Sequence, residues 1–192
     1  MNPELFYTIV DLSDVSEVIN FDVLALSKAF PESNKKSAKS LNNFYLARKA
    51  LLLAAKEGYK IQPLFKNAHI INHHYIANNP QKITSLAHTD DCGVAVVTSL
   101  DDYRSVGIDI ELTNRVIPKN SQRYFKTSKD SDQWSDLQLW VLKEACFKCI
   151  QPLWKRLHFN SNMVLNDIAV NLSRTKKELV FKNKTGTLAS HR

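Results

Sequence analysis

Apolar and polar positions along this chain follow two rhythms, one of period two and one near 3.6. Residues 6–10, Phe-Tyr-Thr-Ile-Val, are a run of β-formers and predict a first strand. Over 14–30, Val15, Val18, Ile19, Val23, Leu24 and Leu26 recur at roughly helical spacing, and Pro31 ends the run. A second helix is expected over about 37–57. Leu41, Phe44, Ala47, Leu51, Leu52 and Ala55 make its apolar stripe, and Gly58 is the expected stop. Residues 61–81 carry no clear rhythm; Pro63, Pro80, Asn72, Asn78 and Asn79 favour loop and short strand. Residues 83–89 lead into Gly93-Val94-Ala95-Val96-Val97-Thr98, a strand of the fully buried kind. A polar turn follows at 100–104.

The next stretch, Val106-Gly107-Ile108-Asp109-Ile110-Glu111, alternates cleanly and reads as a short strand. Val106, Ile108 and Ile110 face a core, and Gly107, Asp109 and Glu111 face the other way. The two acids sit about 7 Å apart along one face. Carboxylates that close repel each other. A cation between them relieves this, and hard oxygen ligands suit Mg²⁺, which takes its remaining positions from water and phosphates. The competing reading is an edge strand with solvated acids.

Beyond a loop at 114–120 and a short helix over 121–125, a longer helix is expected. Ser131 or Asp132 caps it, Trp134, Leu137, Val141 and Ala145 form its buried face, and Pro152 stops it. Trp140, Glu144 and Lys148 are spaced i, i+4, i+8 and share a face. A third carboxylate among lysines suits a site that holds a metal and a polyphosphate together; a solvated face with a Glu–Lys pair is the plainer alternative. After residue 159, two or three strands are expected, around 167–170, 179–181 and the tail, where Lys176, Lys177, Lys182 and Lys184 cluster.

Two of these stretches together resemble the signature of the 4′-phosphopantetheinyl transferases. That pattern is Gly-hydrophobic-Asp with an acid two residues on, then Trp-x-x-Lys-Glu-Ala-x-x-Lys. Here it reads Gly107-Ile108-Asp109-Ile110-Glu111 and Trp140-x-x-Lys143-Glu144-Ala145-x-x-Lys148, with every fixed position filled. The resemblance implies an α+β fold of two similar halves in pseudo-two-fold arrangement, over 1–103 and 104–192, with the active site at their interface. It implies a monomer of the longer, surfactin-synthetase-activating type. It implies a metal site of Asp109, Glu111 and Glu144 for Mg²⁺ or Mn²⁺. Glu144, Lys143 and Lys148 become the catalytic set, Glu144 serving as base directly or through water. Arg48 and Lys36 match positions that hold the 3′-phosphate of coenzyme A, with Lys35 or Lys39 as alternatives to Lys36. Leu86-Ala87-His88-Thr89 resembles the family's Leu-Ser-His-Ser turn, so His88 and Thr89 join the coenzyme contacts, as do Lys143 and Lys148. Arg123-Tyr124-Phe125 resembles an Arg-Phe-Phe stretch. The family's Gly-Lys-Pro, expected within 61–81, is missing. The implied reaction moves 4′-phosphopantetheine from coenzyme A to a serine of an apo acyl or peptidyl carrier protein and releases adenosine 3′,5′-bisphosphate.

Composition changes this picture little. The chain has 192 residues, 44% hydrophobic and 23% charged, ordinary for a globular protein with a substantial core. There is no apolar run long enough for a membrane span, and residues 1–14 lack the basic start of a signal peptide, so a cytoplasmic location is expected. The formal charge of +7 favours an acidic partner, such as an acidic carrier protein. It also fits a basic nucleic-acid-binding module, although no binding motif accompanies it. A family member that has lost activity and acts as a binding protein is the other alternative. Cys146 and Cys149 form a C-x-x-C late in a helix, without the N-terminal dipole that activates such thiols, and together with Cys92 read as ordinary buried cysteines. His69 and His73 would ligate a metal only if helical; with His74 they fall in the unreadable stretch.

Overall fold

The computed structural model describes residues 5–15, 19–71, 74–128, 130, 133–156, 177–181 and 184–191. It is a mixed α+β fold with two antiparallel sheets. The first sheet holds β1 (Phe6–Asp11), β2 (Ile70–Ile71), β3 (Tyr75–Ile76), β4 (Asn79–His88) and β5 (Cys92–Ser99), in the order β1-β5-β4-β3-β2. The second holds β6 (Ser105–Leu112), β7 (Lys177–Phe181) and β8 (Lys184–His191), in the order β6-β8-β7. Helices α1 (Leu12–Val15) and α2 (Ile19–Ala29) occupy the stretch expected as one helix. The expected strand at 167–170, Ser131, Asp132, His73, Lys176 and Lys182 lie outside the described residues.

Helix α3 (Ala38–Tyr59) starts at Ser37, whose hydroxyl accepts from the Ser40 N–H at 3.3 Å. It buries Leu46, Ala50, Leu51, Ala54 and Ala55 against β1 and β5. The expected stop at Gly58 is corrected: the helix ends two residues later in αL, at Lys60 with φ 57°. Gly58 serves packing instead. A Cβ there would stand 2.3 Å from the Phe6 ring.

Helix α4 (Asp136–Arg156) is started by a capping box. The Ser135 hydroxyl accepts from Gln138 N–H at 3.2 Å, and Gln138 Oε1 accepts from Ser135 N–H at 3.0 Å. Pro152 does not stop this helix, which runs four residues further. Proline removes one intrahelical bond and bends a helix without always ending it, and here the packing of α4 across β6 and β8 outweighs that loss.

Strand β6 joins the two sheets. Val106, Ile108 and Ile110 pack with Ile83, Val94 and Val96 of β4 and β5, and the Ile108 N–H donates to the Ser85 hydroxyl at 3.1 Å. β8 pairs along its length, Asp109 opposite Thr187. Its other face meets α4. The reading of β6 as a strand with solvated acids is therefore overturned, since Asp109 is 7% exposed. Among the described residues no helix is long and apolar enough to cross a membrane.

Candidate functional site

Three adjoining cavities of about 310, 410 and 470 Å³ run between α3, the end of β4, β6 and α4. That is the size range of small-molecule sites. Lys36, Asn43, Arg48 and His88 line the first. His88, Thr89, Glu111 and Arg115 line the second, which shares Asn43 and His88 with the first. Arg48, Ser85, Glu144 and Lys148 line the third, which shares Arg48 and Leu86 with the first. Seven of the nine residues expected at the site thus line one groove. The other two are Asp109, which lines none of the three cavities but bonds to Lys148, and Lys143.

At the α4–β6 wall, Gly107 lets the helix backbone close directly onto the strand; a Cβ there would lie 2.0 Å from the Ala145 carbonyl oxygen. This approach brings Lys148 to Asp109. Lys148 Nζ donates to Asp109 Oδ1 at 2.7 Å and to the Ile108 carbonyl at 3.3 Å. Burial raises the Asp109 carboxyl above its ordinary value by more than the neighbouring Lys148 lowers it. Glu144 is raised as well, by burial first and then by the Asp109 charge, with Lys148 and Arg115 opposing. Loss of solvent lowers the His88 imidazole and Lys148 adds to this, while Asp109 and Asp90 work against it. Those couplings make His88, Asp109, Arg115, Glu144 and Lys148 one electrostatic cluster.

Arg48 is the anion-seeking end of the groove. Its guanidinium lies over Phe44 at 4.7 Å and Phe30 at 5.6 Å. Among the described residues, Nε is buried without a hydrogen-bond partner. Burial lowers its pKa to about 10, with Glu32 opposing, so it stays charged at neutral pH. Lys36 stands over the same Phe44 ring at 5.2 Å. Lys39, the alternative to Lys36, pairs instead with Asp90 at 2.8 Å. The Thr89 hydroxyl donates to Asp91 Oδ1 at 2.8 Å, so it organises the β4–β5 turn while lining the groove.

Lys143 requires a correction. It is fully buried, and its Nζ donates to Asp130 Oδ2 at 2.6 Å, away from the three cavities. One residue from Glu144, it sits about 100° around the helix, on the face that meets the 125–130 segment. Burial works to raise the Asp130 carboxyl, but hydrogen bonds from Lys143 and Thr127 outweigh it and hold it below the ordinary value. Lys143→Ala would strand that carboxylate, and breaking a buried pair costs about 3–5 kcal/mol. Urea denaturation should show such a loss, while the KM for any groove ligand moves less than about twofold. Full stability with a raised KM would return Lys143 to the site.

His69 and the two cysteines of the C-x-x-C do not line the groove. His69 is not helical; its ring stacks on Phe30 at 4.1 Å, and Nε2 lies 2.9 Å from the Ala29 carbonyl oxygen. Burial pushes the Cys146 and Cys149 thiols up to about 11, which suits packing and not redox exchange. Phe125 of the Arg-Tyr-Phe stretch is fully buried, edge-on to Trp140 at 5.3 Å.

Sequence reasoning missed Arg115 and Ser85. Arg115 pairs with Glu111 and lies over the Trp140 ring at 5.9 Å. Its only signal was a cation four residues beyond the second acid. Ser85 gave none, because its role is a tertiary bond to β6.

Residues 105–190 match the family model of the 4′-phosphopantetheinyl transferase superfamily. That segment, from β6 to β8, is similar to domains of this superfamily, whose general chemistry is the transfer of phosphopantetheine. No curated protein matches the chain.

Proposed function

We propose that this protein transfers the 4′-phosphopantetheine group of coenzyme A to a serine of an apo acyl or peptidyl carrier protein and releases adenosine 3′,5′-bisphosphate. One observation carries the reading. Glu144 and Lys148, from the segment that matches the family, share a groove with Arg48, whose Nε is buried without a hydrogen-bond partner among the described residues, and Lys148 bonds to Asp109 behind them. A buried guanidinium with an unbonded Nε beside a carboxylate–lysine cluster suits a ligand with phosphates at both ends. We read the chain as the longer, monomeric type, with halves 1–103 and 104–192. In support, Gly93 admits the α3 backbone to β5 much as Gly107 admits α4 to β6.

The donor set fits a divalent cation in part. Asp109 is close enough to raise the cost of ionising Glu144, which a cation would relieve. Among the described residues, no three His, Cys, Asp or Glu side chains converge as a metal cage, and Glu111 is engaged by Arg115. Asp109 and Glu144 would hold Mg²⁺ or Mn²⁺, with Glu111 as the third acid once released. When bound, the metal supplies charge that offsets the pyrophosphate oxygens. The other parts belong to the chain. Arg48, Lys36 and His88 bind the 3′-phosphate. Lys148 carries positive charge to the phosphate that leaves. Glu144, raised above the ordinary carboxylate range, accepts the proton of the attacking serine, whose oxygen bonds to the β-phosphorus as the adenosine bisphosphate departs.

Incubation with coenzyme A, Mg²⁺ and several apo carrier proteins should add one phosphopantetheine mass to at least one carrier. No mass gain on any carrier would favour a binding protein without transferase activity. Arg48→Ala should weaken coenzyme A by at least about tenfold and 3′-dephospho-coenzyme A by less than about twofold, because a charge-assisted pair to the 3′-phosphate is lost. Equal losses for both would make Arg48 structural.

A further inference from the structure

We infer that Arg115 is a latch that holds Glu111 out of the metal site until an anionic ligand enters the groove, which couples metal binding to coenzyme binding. The inference rests on the metal reading above.

Two acids of the expected metal set are already neutralised by the chain itself. Lys148 takes Asp109, and the Arg115 guanidinium takes Glu111. The Lys148 pair is anchored, because Nζ also donates to the Ile108 carbonyl of the same strand. The Arg115 pair is movable. Its side chain is 45% exposed, and among the described residues its side-chain partners are Glu111 and the Trp140 face. Arg115 lies beyond the end of β6, on backbone that leaves the sheet at Leu112. Its N–H bonds back to the Leu112 carbonyl at 3.0 Å.

Position decides what would move it. Glu111 and Arg115 line the cavity that shares His88 and Asn43 with the cavity of Arg48 and Lys36. A phosphate held there offers Arg115 a bidentate partner that competes with Glu111. Arg115 is also near enough to favour the charged forms of both Asp109 and Glu144. In the ligand-free state it therefore does part of a cation's work and repels an incoming one. Once it turns to phosphate, Glu111 is free and the repulsion is offset by the ligand's charge. Arg115 is then a positioning residue for metal binding.

The test measures Mn²⁺ binding by the electron paramagnetic resonance of free Mn²⁺, on the full chain, without and with coenzyme A, after subtracting binding by the coenzyme alone. Wild type should bind Mn²⁺ weakly alone and much more tightly with coenzyme A. Arg115→Gln should bind Mn²⁺ alone at least about tenfold tighter than wild type, since a unit charge a few ångströms away is removed and a carboxylate is released. Coenzyme A should then improve it by less than it improves wild type. Adding Glu111→Gln to Arg115→Gln should abolish the gain. If the double variant keeps the gain, the effect is bulk charge and the latch is overturned. If Arg115→Gln binds Mn²⁺ alone no better than wild type, while wild type binds it with coenzyme A, the latch is overturned and the metal site stands. If no protein binds Mn²⁺ even with coenzyme A, the metal reading falls and the latch with it.

Discussion

Asp109→Asn should lower phosphopantetheine transfer by about 10³-fold while the protein stays folded. The substitution keeps shape and volume and removes one charge. Lys148 loses its counter-ion but keeps an acceptor in the amide oxygen and its bond to the Ile108 carbonyl. Folding should therefore suffer little, the more so because burial already disfavours the charged carboxylate. Transfer should suffer much. A metal at such a site supplies several kcal/mol of transition-state charge stabilisation, and each 1.4 kcal/mol is about tenfold in rate. An amide holds Mg²⁺ far more weakly than a carboxylate does. Single-turnover rates at saturating Mg²⁺ and coenzyme A isolate the chemical step, and thermal melting checks the fold. Transfer within about tenfold of wild type would remove Asp109 from the metal site and leave it a structural partner of Lys148.

How much of this was legible in the sequence depends on which forces wrote it. Period-two alternation from Val106 to Glu111 is a local signal, and β6 follows it: the three apolar residues are buried and Asp109 faces α4. Helix α3 was equally plain, because a stripe and a Ser cap agree. The failures share one cause, tertiary contact overriding local chemistry. Gly58 reads as a stop, yet its missing Cβ makes room for Phe6. Pro152 reads as a terminator, yet α4 runs through it while packed on β6 and β8. Lys143 sits inside a functional motif, and motif spacing cannot say which face of the helix meets Asp130. Arg115 was overlooked because it lies outside both motifs and gains its role only where the chain leaves the sheet beside Glu111 and Trp140. The groove itself was never in the letters. It exists because β4 lies beside β6, which brings Arg48 and His88 of one sheet's layer to Glu144 and Lys148 of the other's.

Gly107→Ala should destabilise the protein and disable the site together, and Gly93→Ala should separate those effects. A methyl at 107 would lie 2.0 Å from the Ala145 carbonyl oxygen and 2.5 Å from the Cys149 amide nitrogen. Both are backbone atoms of α4, so no side chain can step aside; the helix or the strand must shift. Overpacking of this kind costs about 1–3 kcal/mol, and an immovable backbone puts it at the upper end. The functional loss follows from where the shift falls. α4 carries Glu144 and Lys148, and β6 carries Asp109, so separating the two elements by about 1 Å stretches the 2.7 Å Lys148–Asp109 bond. Misplacement of that size costs about 10²-fold in rate. A methyl at 93 meets backbone too, 2.2 Å from the Leu46 carbonyl carbon, but there the displaced helix is α3. α3 carries Arg48 and none of the acids. Gly93→Ala should therefore lower the melting temperature comparably, raise the KM for coenzyme A, and leave kcat within about threefold. Gly107→Ala should lower kcat about 10²-fold with a smaller change in that KM. The measurements are thermal melting and steady-state kinetics with each substrate varied, at a temperature where both variants remain folded. If Gly107→Ala keeps wild-type kcat, the close approach of α4 to β6 does not set the geometry of the acids and Lys148.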